Sequence, residues 1–145
     1  MKNSEFKQWE KMLQQNGARI TKARKAIMLV LAESRHPLTA MEVFSKAKQD
    51  APNLGLVTVY RTIEKLKSLG LLEHIHGHDQ CQSVFRAASG HRHLLICSNC
   101  GKSIYFDGLP AEEAFNQIGR DNGFIIEDHM LQLYGICENC RQKEF

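Results

Sequence analysis

The feature that most constrains this chain is a pair of cysteine knuckles, Cys97-Ser98-Asn99-Cys100 and Cys137-Glu138-Asn139-Cys140. Each leaves two residues between its thiols, each has Asn before its second Cys, and Gly101 follows the first. That spacing lets a tight turn aim both sulfurs at one point. Two such turns supply the four thiolates of a closed tetrahedral zinc site. The competing readings are two disulfides or a pair of redox motifs. Duplicated knuckles in a chain with no secretory signature favour metal. The 36 residues between the knuckles exceed what a short zinc ribbon needs, so an element must pack between them.

The first residues, Met1 to Lys7, hold no apolar signal core, and no apolar run approaches membrane-spanning length. The expectation is a cytoplasmic protein, where thiols stay reduced and available to metal. Neither a membrane nor an organic cofactor is expected as a partner. Charge is uneven along the chain. Residues 1–88 carry 14 Lys and Arg against 8 Asp and Glu, whereas residues 89–145 carry 5 against 8. A basic half joined to an acidic half points to a polyanion as the partner of the first.

The basic half reads as helices. Residues 4–16 place Phe6, Trp9, Met12 and Leu13 on one face, and Asn16-Gly17 ends the run. Thr21 caps a second helix carrying Ala26, Ile27, Leu29, Val30 and Leu31, and His36-Pro37 breaks it. Thr39 with Glu42 forms a capping box for a third, carrying Met41, Val43, Phe44 and Ala47. A fourth runs from about Val57 to Leu69, with Val59, Ile63, Leu66 and Leu69 inward and Gly70 as its stop. Two short strands follow, Leu71 to Ile75 and Ser83 to Arg86. Helices followed by a β-hairpin make a winged helix, whose fourth helix here is the DNA reader. Its outward residues are Thr58, Tyr60, Arg61, Thr62, Glu64 and Lys65. Arg19 and Arg24 are candidates for phosphate contact.

Beyond the small, polar Ala87-Ala88-Ser89-Gly90 the pattern changes. Strands are expected at Leu94 to Cys97, Ser103 to Phe106, Phe124 to Ile126 and Met130 to Tyr134. A helix is expected from Pro110 to Gly119, with Ala111, Ala114, Phe115 and Ile118 inward. The fold class is therefore α+β. A winged-helix DNA-binding domain (1–86) leads through a hinge (87–92) to a small α/β domain (93–145) stapled by a four-cysteine zinc.

A second donor set is scattered across the later half. His91 and His93 alternate on one expected strand and so share a face. Glu112 sits in the first turn of the expected helix, and His129 precedes a strand. Three imidazoles and a carboxylate suit Zn²⁺, Fe²⁺ or Mn²⁺, although periodicity does not join His129 to His91. The same His91, His93 and Glu112 around an open site would also suit a zinc hydrolase, but that leaves the basic helical half without a role.

The chain resembles the ferric uptake regulator (Fur) family over nearly its whole length. The resemblance is carried by Arg19-Ile20-Thr21-x2-Arg24 and Thr58-Val59-Tyr60-Arg61-Thr62 in the first half. In the second it is carried by His91-x-His93-Leu94-Leu95-Ile96-Cys97-x2-Cys100-Gly101 and Leu133-Tyr134-Gly135-x-Cys137-x2-Cys140. It implies a metal-dependent repressor, not an enzyme, that binds a palindromic double-stranded operator. It also implies a homodimer formed through the C-terminal half and a regulatory metal on His91, His93, Glu112 and His129. Further histidines used by the iron- and peroxide-sensing branches are replaced here by Arg92 and Leu94, and Arg86 stands where an acid is expected. Cys81 lies nearby. A thiolate favours Zn²⁺, so Cys81 with His76 is the expected second regulatory site, and zinc the expected signal controlling metal-uptake genes. An iron- or manganese-responsive regulator and a DNA-binding protein with structural zinc alone are the alternatives.

Overall fold

The computed structural model describes residues 2–75, 82–88, 92–108 and 111–143, with side chains from Ser4 onward. The chain divides into two compact units, Met1–Ala87 and Ala88–Phe145. Of the expected hinge, residues 89–91 lie outside the described residues.

The first unit opens with α1 (Lys2–Gln15). Trp9 and Leu13, one turn apart, bury against the core. Asn16 donates from Nδ2 to the Met12 carbonyl at 2.8 Å, and Gly17 takes a left-handed φ of 74° that turns the chain out of the helix. Thr21 Oγ1 accepts the Arg24 N–H at 3.2 Å and starts α2 (Lys22–Glu33). The buried face of α2 is Ala26, Ile27, Met28, Leu31 and Ala32. Leu29, part of the expected apolar set, faces out. The capping box forms as expected at α3 (Ala40–Ala47). Glu42 N–H donates to Thr39 Oγ1 at 3.2 Å, and Thr39 N–H donates to Glu42 Oε2 at 2.7 Å.

The fourth helix, α4 (Leu56–Ser68), buries Val59, Thr62, Ile63 and Leu66. Thr62 is a correction to the sequence reading, which faced it outward. It is 1% exposed, and its hydroxyl donates to the Thr58 carbonyl at 2.7 Å. With the hydroxyl satisfied inside its own helix, the side chain packs as a small apolar group. Three antiparallel strands complete the unit in the order β1 (Leu38–Thr39), β3 (Ser83–Arg86), β2 (Leu72–Ile75). The two-residue β1 is too short to leave a period in the sequence. Among the described residues, nearly all the buried apolar side chains belong to this unit.

The second unit is a three-stranded sheet in the order β5 (Ser103–Asp107), β4 (Arg92–Cys97), β6 (Gln132–Gly135). β4 pairs antiparallel with β5 and parallel with β6. Between β5 and β6 runs α5 (Glu112–Asn122), and α6 (Glu138–Gln142) carries the second knuckle. Two expectations fail here. Residues 124–126 form no strand and join none of β5, β4 and β6. That segment instead lies on α5, where a Cβ added to Gly119 would meet the Phe124 carbonyl and Ile126 Cγ1, each at 2.8 Å. The inward face of α5 is accordingly Gly119 and half-buried Phe115, while Ala114 and Ile118 are exposed. Among the described residues no helix is long and apolar enough to cross a membrane.

Candidate metal centres and nucleic-acid interface

The parallel β4–β6 ladder sets Cys97 opposite Gly135 and so brings the second knuckle beside the first. Ser98 N–H donates to the Gly135 carbonyl at 2.8 Å. Gly101, with φ of 74°, closes the first knuckle by donating its N–H to the Cys97 carbonyl at 2.9 Å. Cys137 stands at the start of α6. The ligand atoms of Cys97, Cys100, Cys137 and Cys140 all lie within 4.8 Å of one another, and Cys100 Sγ and Cys137 Sγ are 3.7 Å apart. A tetrahedron with zinc–sulfur bonds near 2.3 Å has edges of about 3.8 Å. The cluster therefore fits zinc, and the thiols are free, not paired as disulfides.

The electrostatics split the four thiols. Backbone N–H groups of Cys100 and Cys137 lower the Cys97 thiol from 9.0 to about 6, and Cys137 N–H reaches its sulfur at 3.3 Å. Cys140 is pushed up to about 12, first by donating its proton to Cys137 and then by burial. The backbone donors around Cys97 thus favour its thiolate, whereas its surroundings hold Cys140 towards the protonated form. Binding a metal must release that proton.

Of the second donor set, His93 on β4 is 4% exposed, and His129 is half-buried in the loop before β6. Their ring centroids lie 5.3 Å apart. Phe106, the register partner of His93, lies 5.6 Å from that ring, and Phe115 of α5 packs tilted against His129 at 4.5 Å. Asp128 accepts the His129 N–H at 2.8 Å. Glu112, the first residue of α5, shares with His129 a cleft of about 230 Å³ that Glu127 and Asp128 also line. The two aromatic walls escaped sequence reasoning. Phe106 could be assigned only once the β4–β5 register was known. Among the described residues no group besides the four cysteines converges closely enough to hold an ion. His91, His76 and Cys81 lie outside the described residues. Arg92 pairs with Asp107 at 3.1 Å, Leu94 is core, and Arg86 pairs with Glu5 at 3.0 Å.

The expected DNA-facing residues sit on the first unit. Tyr60 is 52% exposed and Arg61 is exposed beside it, whereas Thr58 is half-buried. Arg19 is exposed in the connection from α1 to α2. Arg24 is half-buried and donates from Nη1 to the Arg19 carbonyl at 2.7 Å, tying the two together.

Comparison with known proteins agrees with this architecture. The model of the ferric uptake regulator family matches residues 15–134. The chain is 31% identical over 141 residues to the ferric uptake regulation protein of Campylobacter jejuni, covering 96% of this chain and 90% of that protein. It is 32% identical over 126 residues to the zinc uptake regulation protein of Mycobacterium tuberculosis, covering 86% and 96%. A solved zinc uptake regulator complexed with zinc and DNA has the same fold, with a TM-score of 0.75 at 19% identity, covering 99% of this chain and 97% of that one.

Proposed function

The chain belongs to the ferric uptake regulator family, and we propose that within it this protein is a zinc-responsive transcriptional repressor. It acts in the cytoplasm as a homodimer on a palindromic operator and controls metal-uptake genes. The observation that carries a metal-sensing role is the meeting of His93 with His129, residues far apart in sequence, with Glu112 in the adjoining cleft. With His91 these are three nitrogen donors and a carboxylate, a set that fits Zn²⁺, Fe²⁺ or Mn²⁺. Cys81 and His76 are the second proposed pair, and the soft thiol of Cys81 favours zinc. A bound metal would supply a cross-link among the elements that carry these donors. His93, buried between Phe106 and His129, fixes the site on β4. Glu112 and His129 would join it from α5 and the loop before β6.

The response is then a shift between dimers that fit two successive major grooves and dimers that do not. Metal drives it only as far as it binds the first form better. Iron or manganese sensing on the same donors is the second reading. Glu112 is a hard oxygen ligand, and the named relatives include a ferric regulator at nearly the same identity as the zinc one. The deciding experiment is operator binding by protein that keeps its structural zinc, titrated with buffered Zn²⁺, Fe²⁺ and Mn²⁺ in turn. Binding driven by Zn²⁺ at the lowest free concentration is the expected result. Binding that ignores all three metals leaves a DNA-binding protein with structural zinc alone.

Dimerisation through the second unit is supported by apolar side chains that fold inside no core. Ile125 is 91% exposed, and Phe124, Met130, Ile104 and Leu133 are also open to solvent. Leu133 and Ile104 both register with Leu95, and so form an apolar row across one sheet face. Such a patch on a small unit marks a protein interface. Ile125→Glu should weaken dimerisation at least tenfold by sedimentation equilibrium, since it sets an unpaired charge in the proposed interface. The melting of the first unit should be unaffected. An unchanged dimer would place the interface elsewhere.

A further inference from the structure

The outward line of α4 runs through Val57, Arg61, Glu64 and Ser68, all exposed and spaced as successive turns of one face. The opposite line is the buried Val59, Thr62, Ile63 and Leu66. Val57 is therefore at the centre of the exposed face, not at its apolar margin, and it is 62% exposed. Nothing about folding asks for valine here. Its branched Cβ lowers helix propensity, and its methyls meet water. Tyr60 and Arg61 lie three and four residues on, beside it on the helix surface. The negative charge of Glu64 is paired with Lys67 at 3.0 Å. The face thus offers one aliphatic group, one aromatic ring and one free-standing type of charge, positive. A protein partner seeking an apolar contact would have to accommodate Arg61. A nucleic acid uses both.

Resting on the reading of α4 as the DNA-reading helix, we infer that Val57 reads a thymine methyl, making it a specificity-determining residue of the operator contact. The N-terminal residues of a recognition helix meet base edges in the major groove, and Val57 is the second residue of α4. Thymine is the one base that presents a methyl there, and an aliphatic side chain is its matching surface. Arg61, one turn further along, anchors the helix through phosphate or guanine. Val57 supplies discrimination at a neighbouring base pair.

The test uses full-length, zinc-loaded protein to select duplexes from a randomised library. The selected duplex is then remade with deoxyuridine in place of each thymidine in turn, a change that deletes only the methyl. Wild type should lose roughly fourfold in affinity at one position of a half-site, the worth of one buried methyl group. Val57→Ala should flatten that thymine-to-uracil ratio to near one, while leaving the ratios at other positions and the melting temperature unchanged. Tyr60→Ala, as a control, should not flatten that same position. If Val57→Ala keeps every ratio while Arg61→Ala abolishes selection, α4 reads DNA and the Val57 assignment is overturned. If Arg61→Ala selects the same duplex with equal affinity, the reading of α4 fails, and the inference about Val57 fails with it.

Discussion

Cys97→Ser or Cys140→Ser should strip the protein of one tightly held zinc and of most of its dimer. The expectation rests on how little else holds the second unit together. Its buried apolar residues among those described are Leu94, Ile96, and the two cysteines themselves. A core of that size does not offset the conformational entropy of ordering the unit. A structural zinc contributes about 10–16 kcal/mol of apparent binding free energy in small zinc domains, and there that binding is folding. Serine keeps the size of cysteine but offers no thiolate, so the tetrahedron is left with three ligands. The first unit, with its own core around Leu13, Ile27, Leu31 and Leu66, should keep its helical circular dichroism. Metal analysis together with sedimentation decides the matter. A mutant that retains both zinc and dimer would mean the four-cysteine cluster is not the staple.

Acid should act in the same direction as these mutations. The lowered Cys97 thiol favours the folded state fully above its unfolded value of 9.0, and that contribution is lost as pH falls through about 6. As pH falls, protons compete with metal for the sulfurs of the cluster. Acidification should therefore favour zinc release, as lost metal content read by chelator titration.

Much of the first unit is legible in sequence because its signals are local. Thr21, and Thr39 with Glu42, are caps whose partners lie three residues away, and both form as expected. The same holds for the knuckles, where two-residue spacing within each is enough to aim a pair of thiols. The errors come where distant chain decides. Thr62 looks outward by polarity, yet the Thr58 carbonyl satisfies it and tertiary packing buries it. Residues 124–126 have a strand's composition, but they pack on Gly119 of α5, and β6 pairs with β4 in a parallel ladder that no local pattern encodes. The meeting of His93 and His129 depends on that same ladder together with the α5 crossover. Spacing alone therefore could not join them, and the family resemblance did.

The metal response should vanish in His129→Ala and in Glu112→Gln. Glu112 is exposed at the first turn of α5, so the amide removes the negative charge and one of the two oxygens, leaving a weak neutral donor, without opening a cavity. His129→Ala removes a ring packed at a tilt against Phe115. Changing a group that only hydrogen-bonds to a metal ligand costs about 10–100-fold in affinity, so loss of the ligand's own donor should cost at least about a hundredfold. At free Zn²⁺ that saturates wild type, neither variant should bind the operator. Both should retain the structural zinc, because the four-cysteine cluster lies on other residues. Cys81→Ser divides the two proposed sites. If the His93–Glu112–His129 site sets the switch and the Cys81 site tunes it, Cys81→Ser should move the zinc dose-response to higher concentration while leaving its amplitude intact. Normal responses in both His129→Ala and Glu112→Gln, with loss of response in Cys81→Ser, would move the sensor to the hairpin and reduce the paired imidazoles to packing. Restoration of operator binding to wild type by Fe²⁺ alone, without oxygen and at cellular free concentration, would remove zinc as the signal while leaving the same side chains as its receptor.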